Sequence, residues 1–350
     1  MQIKYNQTIM NLREIVKAPS TLSLITTYRC TARCPNCCFQ CNPQRKEQME
    51  IDKMKEYIKE AKIAYPQLKV LVLTGGECMI YRTSIANVIN YASKKYNLFV
   101  RIVTNGFWAT SFENSLNVLQ CLIDAGLNEI NFSTGDEHQL FIPIENIRNG
   151  ILASVDIGLK PLVNIESNDY KKFTSKYFIK DNTMFKLIRE NKLDIINGLW
   201  IPFKTISNDL KNDENLKITY NHQPCDNLFN TISIDPNHRM LACCGLTAKF
   251  VNFLDIGDVD KVPIKDLYEN QFKDFIKIWL YVDGPYKILE FILQYIKFDI
   301  AMYNKLHDCQ ICAAILKNKQ FLNVLQLNYK KVYANIMFKY LIKIKSYENK

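Results

Sequence analysis

The chain of 350 residues is 48% hydrophobic and 23% charged with a net charge of +10, ordinary globular values that exclude a disordered protein, and nothing in it is low-complexity or tandemly repeated. Its length suits one barrel of ordinary size plus a smaller appended domain. The first twenty residues hold no continuous apolar core, so neither a signal peptide nor a membrane anchor is expected. In the cytoplasmic compartment this implies, twelve cysteines point to metal or redox chemistry rather than disulfides.

After an N-terminal extension over 1–20, short β-rich runs alternate with runs of helical period from Leu22 to about Phe203. That pattern predicts an α/β fold of repeated βα units round a parallel sheet. The expected strands are Leu22–Thr27, Val70–Thr74, Phe99–Thr104, Glu129–Ser133, Leu162–Ile165 and Ile195–Pro202, with helices such as Asp52–Ala64 and Thr83–Lys95 between them. The first four strands end in the polar or glycine-containing loops YRCTARC, GGE, NGFW and TGDEH. Ligands of parallel α/β folds sit at the carboxyl ends of strands, so these loops should converge on one site.

The barrel pattern spans 21–204, and residues 205–217 read as a polar linker. In a cysteine-rich domain over 218–315, Phe229–Ile234 and Arg239–Ala242 flank a DPN turn and predict a hairpin. The apolar stretch FIKIWLYVDGPYKILEFILQYI is broken at Asp283, Gly284 and Pro285, which predicts two packed helices and no transmembrane segment. The last segment, 316–350, reads as a basic helix; from 317 onward eight lysines face the single acid Glu348. Such charge favours an anionic partner, and an acidic peptide fits it. No zinc-finger spacing, glycine–aromatic RNA motif or helix-turn-helix accompanies it, so nucleic acid is not expected. Cys121, in the helical run SLNVLQCLIDAG, reads as a buried small hydrophobe.

Cys30, Cys34 and Cys37 form C-x3-C-x2-C just after the first strand. A 4Fe–4S cluster held by three thiolates keeps one iron open to a chelating ligand, here expected to be S-adenosylmethionine (SAM). A structural zinc would want four ligands in paired C-x2-C form, a count to which Cys38 and Cys41 could contribute. Gly75 and Gly76 follow the second strand where a backbone approaches a ligand closely, and Glu77 is expected to face the cleft and accept hydrogen bonds from the SAM ammonium group. Asn105, Ser133, Asp136 and His138 are further candidate cofactor-binding residues at strand ends. Phe107 and Trp108 could wall a ribose or adenine pocket, or be core aromatics. Downstream, Cys225, Cys243 or Cys244, Cys309 and Cys312 could supply four thiolates to a second, auxiliary 4Fe–4S cluster, the alternative being a structural zinc. Neighbouring side chains on an extended strand point to opposite faces, so one of Cys243 and Cys244 should face iron and the other the barrel mouth.

The segments RCTARCPNCCFQCNP, LTGGE, TNGFWA, DEHQLF, LACCG and CQIC together resemble the radical SAM enzymes that modify ribosomally made peptides and carry a truncated auxiliary-cluster domain of the SPASM or twitch type. The nearest resemblance is to the epipeptide epimerases, which convert L-residues of a precursor peptide to D. The resemblance implies a partial (β/α)6 barrel, a SAM-binding cluster on Cys30, Cys34 and Cys37, and an auxiliary cluster on Cys225, Cys243, Cys309 and Cys312. It implies Cys244 as the hydrogen donor. The residue before the third cluster cysteine, commonly aromatic in the superfamily, is Asn36 here. A ribosomally made precursor peptide and a reducing donor such as flavodoxin or ferredoxin are the implied partners. Two rival readings are a radical SAM enzyme forming thioether or carbon–carbon crosslinks, and a catalytically inactive iron–sulfur protein that binds peptide.

Overall fold

The computed structural model describes residues 16–167, 172–200, 221–297, 303 and 306–348; the expected linker at 205–217 lies outside them. The chain divides into two compact units, the first of residues 20–202 and 234–238 and the second of 1–19, 203–233 and 239–350.

In the first unit six strands alternate with helices. They are β1 (Thr21–Ile25), α1 (Ile51–Ala64), β2 (Val70–Thr74), α2 (Arg82–Asn90), β3 (Phe99–Thr104), α3 (Phe112–Ala125), β4 (Glu129–Thr134), α4 (Ile144–Asp156), β5 (Pro161–Ser167), α5 (Lys176–Lys180), α6 (Asn182–Arg189) and β6 (Asp194–Leu199). The strands lie side by side in chain order, every neighbouring pair parallel. This is the α/β architecture the alternation predicts. Several elements differ in extent. β1 stops at Ile25, β5 runs on to Ser167, β6 spans Asp194–Leu199, and the helix expected to run to Lys95 changes to a π turn at Tyr91–Lys95.

Period-two patterning gives this sheet its two faces. Leu71, Leu73, Val100, Ile102, Ile130, Phe132, Val163 and Ile165 are at most 1% exposed, as are Ile58, Val88, Leu119 and Ile151 on the helices. Each such side chain contributes about 1.5–3 kcal/mol by leaving water. The alternate residues, including Val72, Arg101, Asn131, Ser133, Leu162 and Asn164, are only half-buried and form the other face. Local chemistry sets the helix ends. Ser111 caps α3 by accepting from the Asn114 N–H, Gly126 ends it at φ 106°, and Asp181 caps α6 through the N–H groups of Thr183 and Met184. Cys121, expected to be buried, is exposed on α3. The buried stripe of that helix runs through Val118, Leu119 and Leu122, and position 121 falls outside it.

The second unit contains β7 (Thr231–Ile234, whose last residue belongs to the first unit), β8 (Arg239–Leu241) and β9 (Asp255–Asp258), in that spatial order with β8 and β9 antiparallel. Helices α7 (Ile264–Asn270), α8 (Phe275–Ile292), α9 (Asp308–Lys317), α10 (Lys319–Asn328) and α11 (Lys330–Glu348) follow. Gly284 breaks α8 into two segments with φ 81° and ψ 169°, directly before Pro285, as the Asp-Gly-Pro interruption predicts. Among the described residues no helix is long and apolar enough to cross a membrane.

Candidate functional site

In the first unit the loop after β1 carries Cys30, Cys34 and Cys37. Its backbone is tied down on both sides: Cys30 N–H donates to Asn42 O at 3.1 Å, Gly76 N–H to Thr27 O at 2.7 Å and Glu77 N–H to Arg29 O at 2.9 Å. The glycines after β2 make this approach possible. Gly75 has φ +138°, and a Cβ on Gly76 would lie 2.2 Å from Arg29 O. Their closest partner is thus the cysteine loop itself, which they let lie against β2.

Several N–H groups aim at the sulfurs. Ala32 N–H donates to Cys30 Sγ at 3.4 Å, Cys41 N–H to Cys37 Sγ at 3.4 Å, and Asn105 Nδ2 reaches Cys30 Sγ at 3.6 Å and Thr31 Oγ1 at 3.0 Å. Burial pushes the Cys30 thiol up to about 12, whereas a hydrogen bond from the Cys41 thiol holds Cys37 below the ordinary thiol range. A loop of three thiols furnished with N–H donors suits thiolates bound to iron, because such donors stabilise negative sulfur. These residues fit a 4Fe–4S cluster, with Cys41 beside its third ligand.

Glu77 differs from its expected orientation. It is 0% exposed, and its carboxylate accepts from Met79 N–H at 3.0 Å, Thr104 Oγ1 at 2.8 Å and Asn105 N–H at 2.6 Å. The donors that draw it inward come from the ends of β2 and β3, so it ties two loops together rather than facing the cleft. Burial pushes its carboxyl up to about 7. Trp108 is 4% exposed, with Nε1 donating to Thr104 Oγ1 at 3.1 Å, and is a core aromatic; Phe107 is half-buried.

At the end of β4, Ser133 is half-buried, and Asp136 accepts from the N–H groups of Lys172 and Phe173. His138 is 8% exposed and pairs through Nδ1 with Glu166 at 2.7 Å, its ring 5.1 Å from that of Trp200. Three participants escaped sequence reasoning. Glu137 accepts from Asn36 N–H at 2.9 Å, from Asn36 Nδ2 at 2.7 Å and from Trp200 Nε1 at 2.6 Å. Glu166 takes the Glu137 N–H as well as His138. Asn36, where an aromatic is common, is therefore clamped beside Cys37 by a carboxylate. Glu166 and Trp200 sit at the ends of β5 and β6, and the strand-end rule extended past the fourth strand would have found them.

In the second unit Cys225, Cys243, Cys309 and Cys312 line one cavity of about 190 Å³ together with Gly245 and His307. Cys309 and Cys312 share a face of α9 at i, i+3 spacing, and His307 caps that helix in a capping box with Gln310. A Cβ at Gly245 would lie 3.2 Å from Cys243 Sγ and 3.7 Å from Cys309 Sγ, so glycine keeps space open between two thiols. Burial pushes the Cys309 thiol up to about 12 and raises Cys225, Cys243 and Cys312. Dry, neutral thiols of this kind ionise when metal binds. Among the described residues no group of three or more Cys, His, Asp or Glu is close enough to hold a single metal ion; ligands of a cluster attach to separate irons and need no such closeness. Cys244 is exposed, whereas Cys243 is buried, the alternation expected of neighbours on an extended chain.

Residues 24–160 match the model of the radical SAM superfamily. No curated protein matches the chain. Among solved structures, native anSMEcpe with bound AdoMet and Cp18Cys peptide aligns at 10% identity and TM-score 0.50, covering 91% of this chain and 99% of that one. Hexahistidine-tagged anSMEcpe with bound AdoMet aligns at 11% identity and TM-score 0.51, covering 93% and 98%. The similarity is one of fold.

Proposed function

From a domain that matches the radical SAM superfamily over residues 24–160, we propose that the chain is a peptide epimerase. When bound to Cys30, Cys34 and Cys37, a 4Fe–4S cluster with SAM supplies a 5′-deoxyadenosyl radical able to remove hydrogen from an unactivated carbon. In this reading Asn105 and the backbone donors stabilise the thiolates, Glu137 holds the loop through Asn36, and Gly75, Gly76, Ser133, Asp136 and His138 border the cofactor. Cys225, Cys243, Cys309 and Cys312 hold an auxiliary cluster. The substrate is a ribosomally made precursor peptide, reduced flavodoxin or ferredoxin supplies electrons, and the peptide bound to anSMEcpe supports a peptide substrate for this fold.

The observation that carries the epimerase reading is the separation of Cys244 from its four fellows. Those four line one cavity, while Cys244 alone of the five is exposed, which in this reading leaves its thiol to the substrate. The Cys244 thiol would then give a hydrogen to the face of the substrate Cα radical opposite the one that lost its hydrogen, and the thiyl left behind would take up one electron and one proton from the reducing donor. Turnover in heavy water of a short precursor peptide, sought among the genes beside this one, tests it. One solvent deuterium should appear at each inverted Cα. A product two hydrogens lighter with no deuterium would show crosslinking instead, and absence of 5′-deoxyadenosine would show a protein that only binds.

A further inference from the structure

Behind the four-cysteine cavity of the second unit lies a buried ion pair that the site described above does not use. Lys277 and Asp274, at the start of α8, are 2% and 0% exposed. Lys277 Nζ lies 3.5 Å from Asp274 Oδ2 and 4.9 Å from the centroid of the Phe253 ring. Two neighbours of this pair reach the cavity: Leu280, one turn after Lys277 on α8, and Leu254, next to Phe253 in the chain, both line it. Backbone hydrogen bonds fasten these two to the segments that carry the thiols. Cys225 N–H donates to Leu280 O at 3.1 Å, and Ala242 N–H, just before Cys243, donates to Leu254 O at 2.7 Å. The lysine thus stands behind the cavity lining. Burial disfavours its charge, whereas Asp274 and then Cys243 favour it.

Stability does not account for the pair. Lysine is rarely buried to this extent, and the cost of drying two ions offsets their attraction, so that apolar residues in their place are often neutral or stabilising. The helix end does not require it either. Asp274 caps α8 by accepting from Ile276 N–H at 3.1 Å, and a neutral asparagine caps as well as aspartate. What the lysine adds is a positive charge in a dry interior, where water and salt screen it little. It stands beside thiolates that outweigh the positive charge of the iron–sulfur core they would hold, so the cluster is an anion and becomes more negative on reduction. We infer that the Lys277 ammonium offsets the charge of a 4Fe–4S cluster on Cys225, Cys243, Cys309 and Cys312 and thereby raises its reduction potential, with Asp274 moderating the effect. The cluster gains one electron from the reduced donor, no bond forms or breaks, and the lysine keeps its proton. The inference rests on the auxiliary-cluster reading and deepens it, since net charge is one of the levers by which a protein sets a cluster's potential.

The test reads a potential, which needs neither substrate nor turnover. The full chain carrying Cys30→Ala, Cys34→Ala and Cys37→Ala, in which only the second unit holds iron, is reconstituted with iron and sulfide. It is then titrated anaerobically with dithionite, and the reduced cluster is quantified by electron paramagnetic resonance. Added to this parent, Lys277→Met, similar in length and uncharged, should lower the ratio of reduced to oxidised cluster at a fixed potential at least tenfold, a fall of about 59 mV for one electron. Asp274→Asn, which keeps the cap and removes the counter-charge, should move the midpoint the other way. Damage to packing alone produces no such opposition of sign. If Lys277→Met fails to hold iron, the double variant with Asp274→Asn, which leaves no unpaired buried charge, is titrated in its place and should also fall below the parent. A midpoint unchanged by either substitution, or moved the same way by both, would overturn the inference and leave the cluster standing. A parent that binds no iron would overturn the auxiliary cluster and this inference with it.

Discussion

Replacing Glu77 by glutamine tests whether this residue is a buried tie between loops. Its Oε1 accepts from Met79 N–H and Thr104 Oγ1, and its Oε2 from Asn105 N–H. Thr104 Oγ1 in turn already accepts from Gly106 N–H and Trp108 Nε1, both at 3.1 Å, and cannot accept a third hydrogen. A glutamine in either orientation therefore points its NH2 at a backbone N–H, that of Met79 or that of Asn105. The loss is one charge-assisted bond, about 1.5–3 kcal/mol, plus one orphaned buried donor, about 1–3 kcal/mol. Burial opposes ionisation of Glu77, pushing its carboxyl up to about 7, and the neutral glutamine escapes that cost. A net destabilisation of about 2–4 kcal/mol follows, and for a unit of this size each kcal/mol lowers the melting midpoint by about 2–4 °C. The midpoint of Glu77→Gln, followed by circular dichroism under anaerobic conditions, should fall by roughly 10 °C. A midpoint within 2 °C of wild type, with SAM affinity lost, would refute the buried tie and return the carboxylate to the cofactor.

Other expectations concern the metal sites. The triple variant Cys30→Ala, Cys34→Ala and Cys37→Ala should make no 5′-deoxyadenosine and keep the iron of the second unit; residual cleavage of SAM would refute the assignment of the first cluster. Gly245→Ala places a methyl 3.2 Å from Cys243 Sγ and should lower iron content by about the share of one cluster, read by iron and sulfide analysis, with full iron content counting against the cavity as its site. Cys244→Ala should retain both clusters and cleave SAM yet yield no D-residue on chiral amino-acid analysis; loss of the auxiliary iron instead would exchange its role with Cys243. Glu137→Gln keeps its shape but weakens the grip on Asn36, and SAM affinity should drop about tenfold, equivalent to 1.4 kcal/mol; unchanged affinity would separate this clamp from the cofactor.

Much of this protein is written in short-range pattern. Period-two apolar runs marked the six parallel strands because a buried strand face demands alternation whatever its partners, and Asp283-Gly284-Pro285 marked the break in α8 because φ restrictions act within a few residues. The spacing of Cys30, Cys34 and Cys37 was equally legible, since one loop must present all three thiols. Direction across the fold was not. Glu77 turns inward because donors from Thr104 and Asn105, remote in sequence, wait there; Cys121 is exposed because of where the helical stripe of α3 falls; and Asn36 is held by Glu137, 101 residues away. A residue's type and near neighbours decide its local conformation, whereas what its polar atoms meet depends on which strand ends the sheet brings together, and only the tertiary structure decides that.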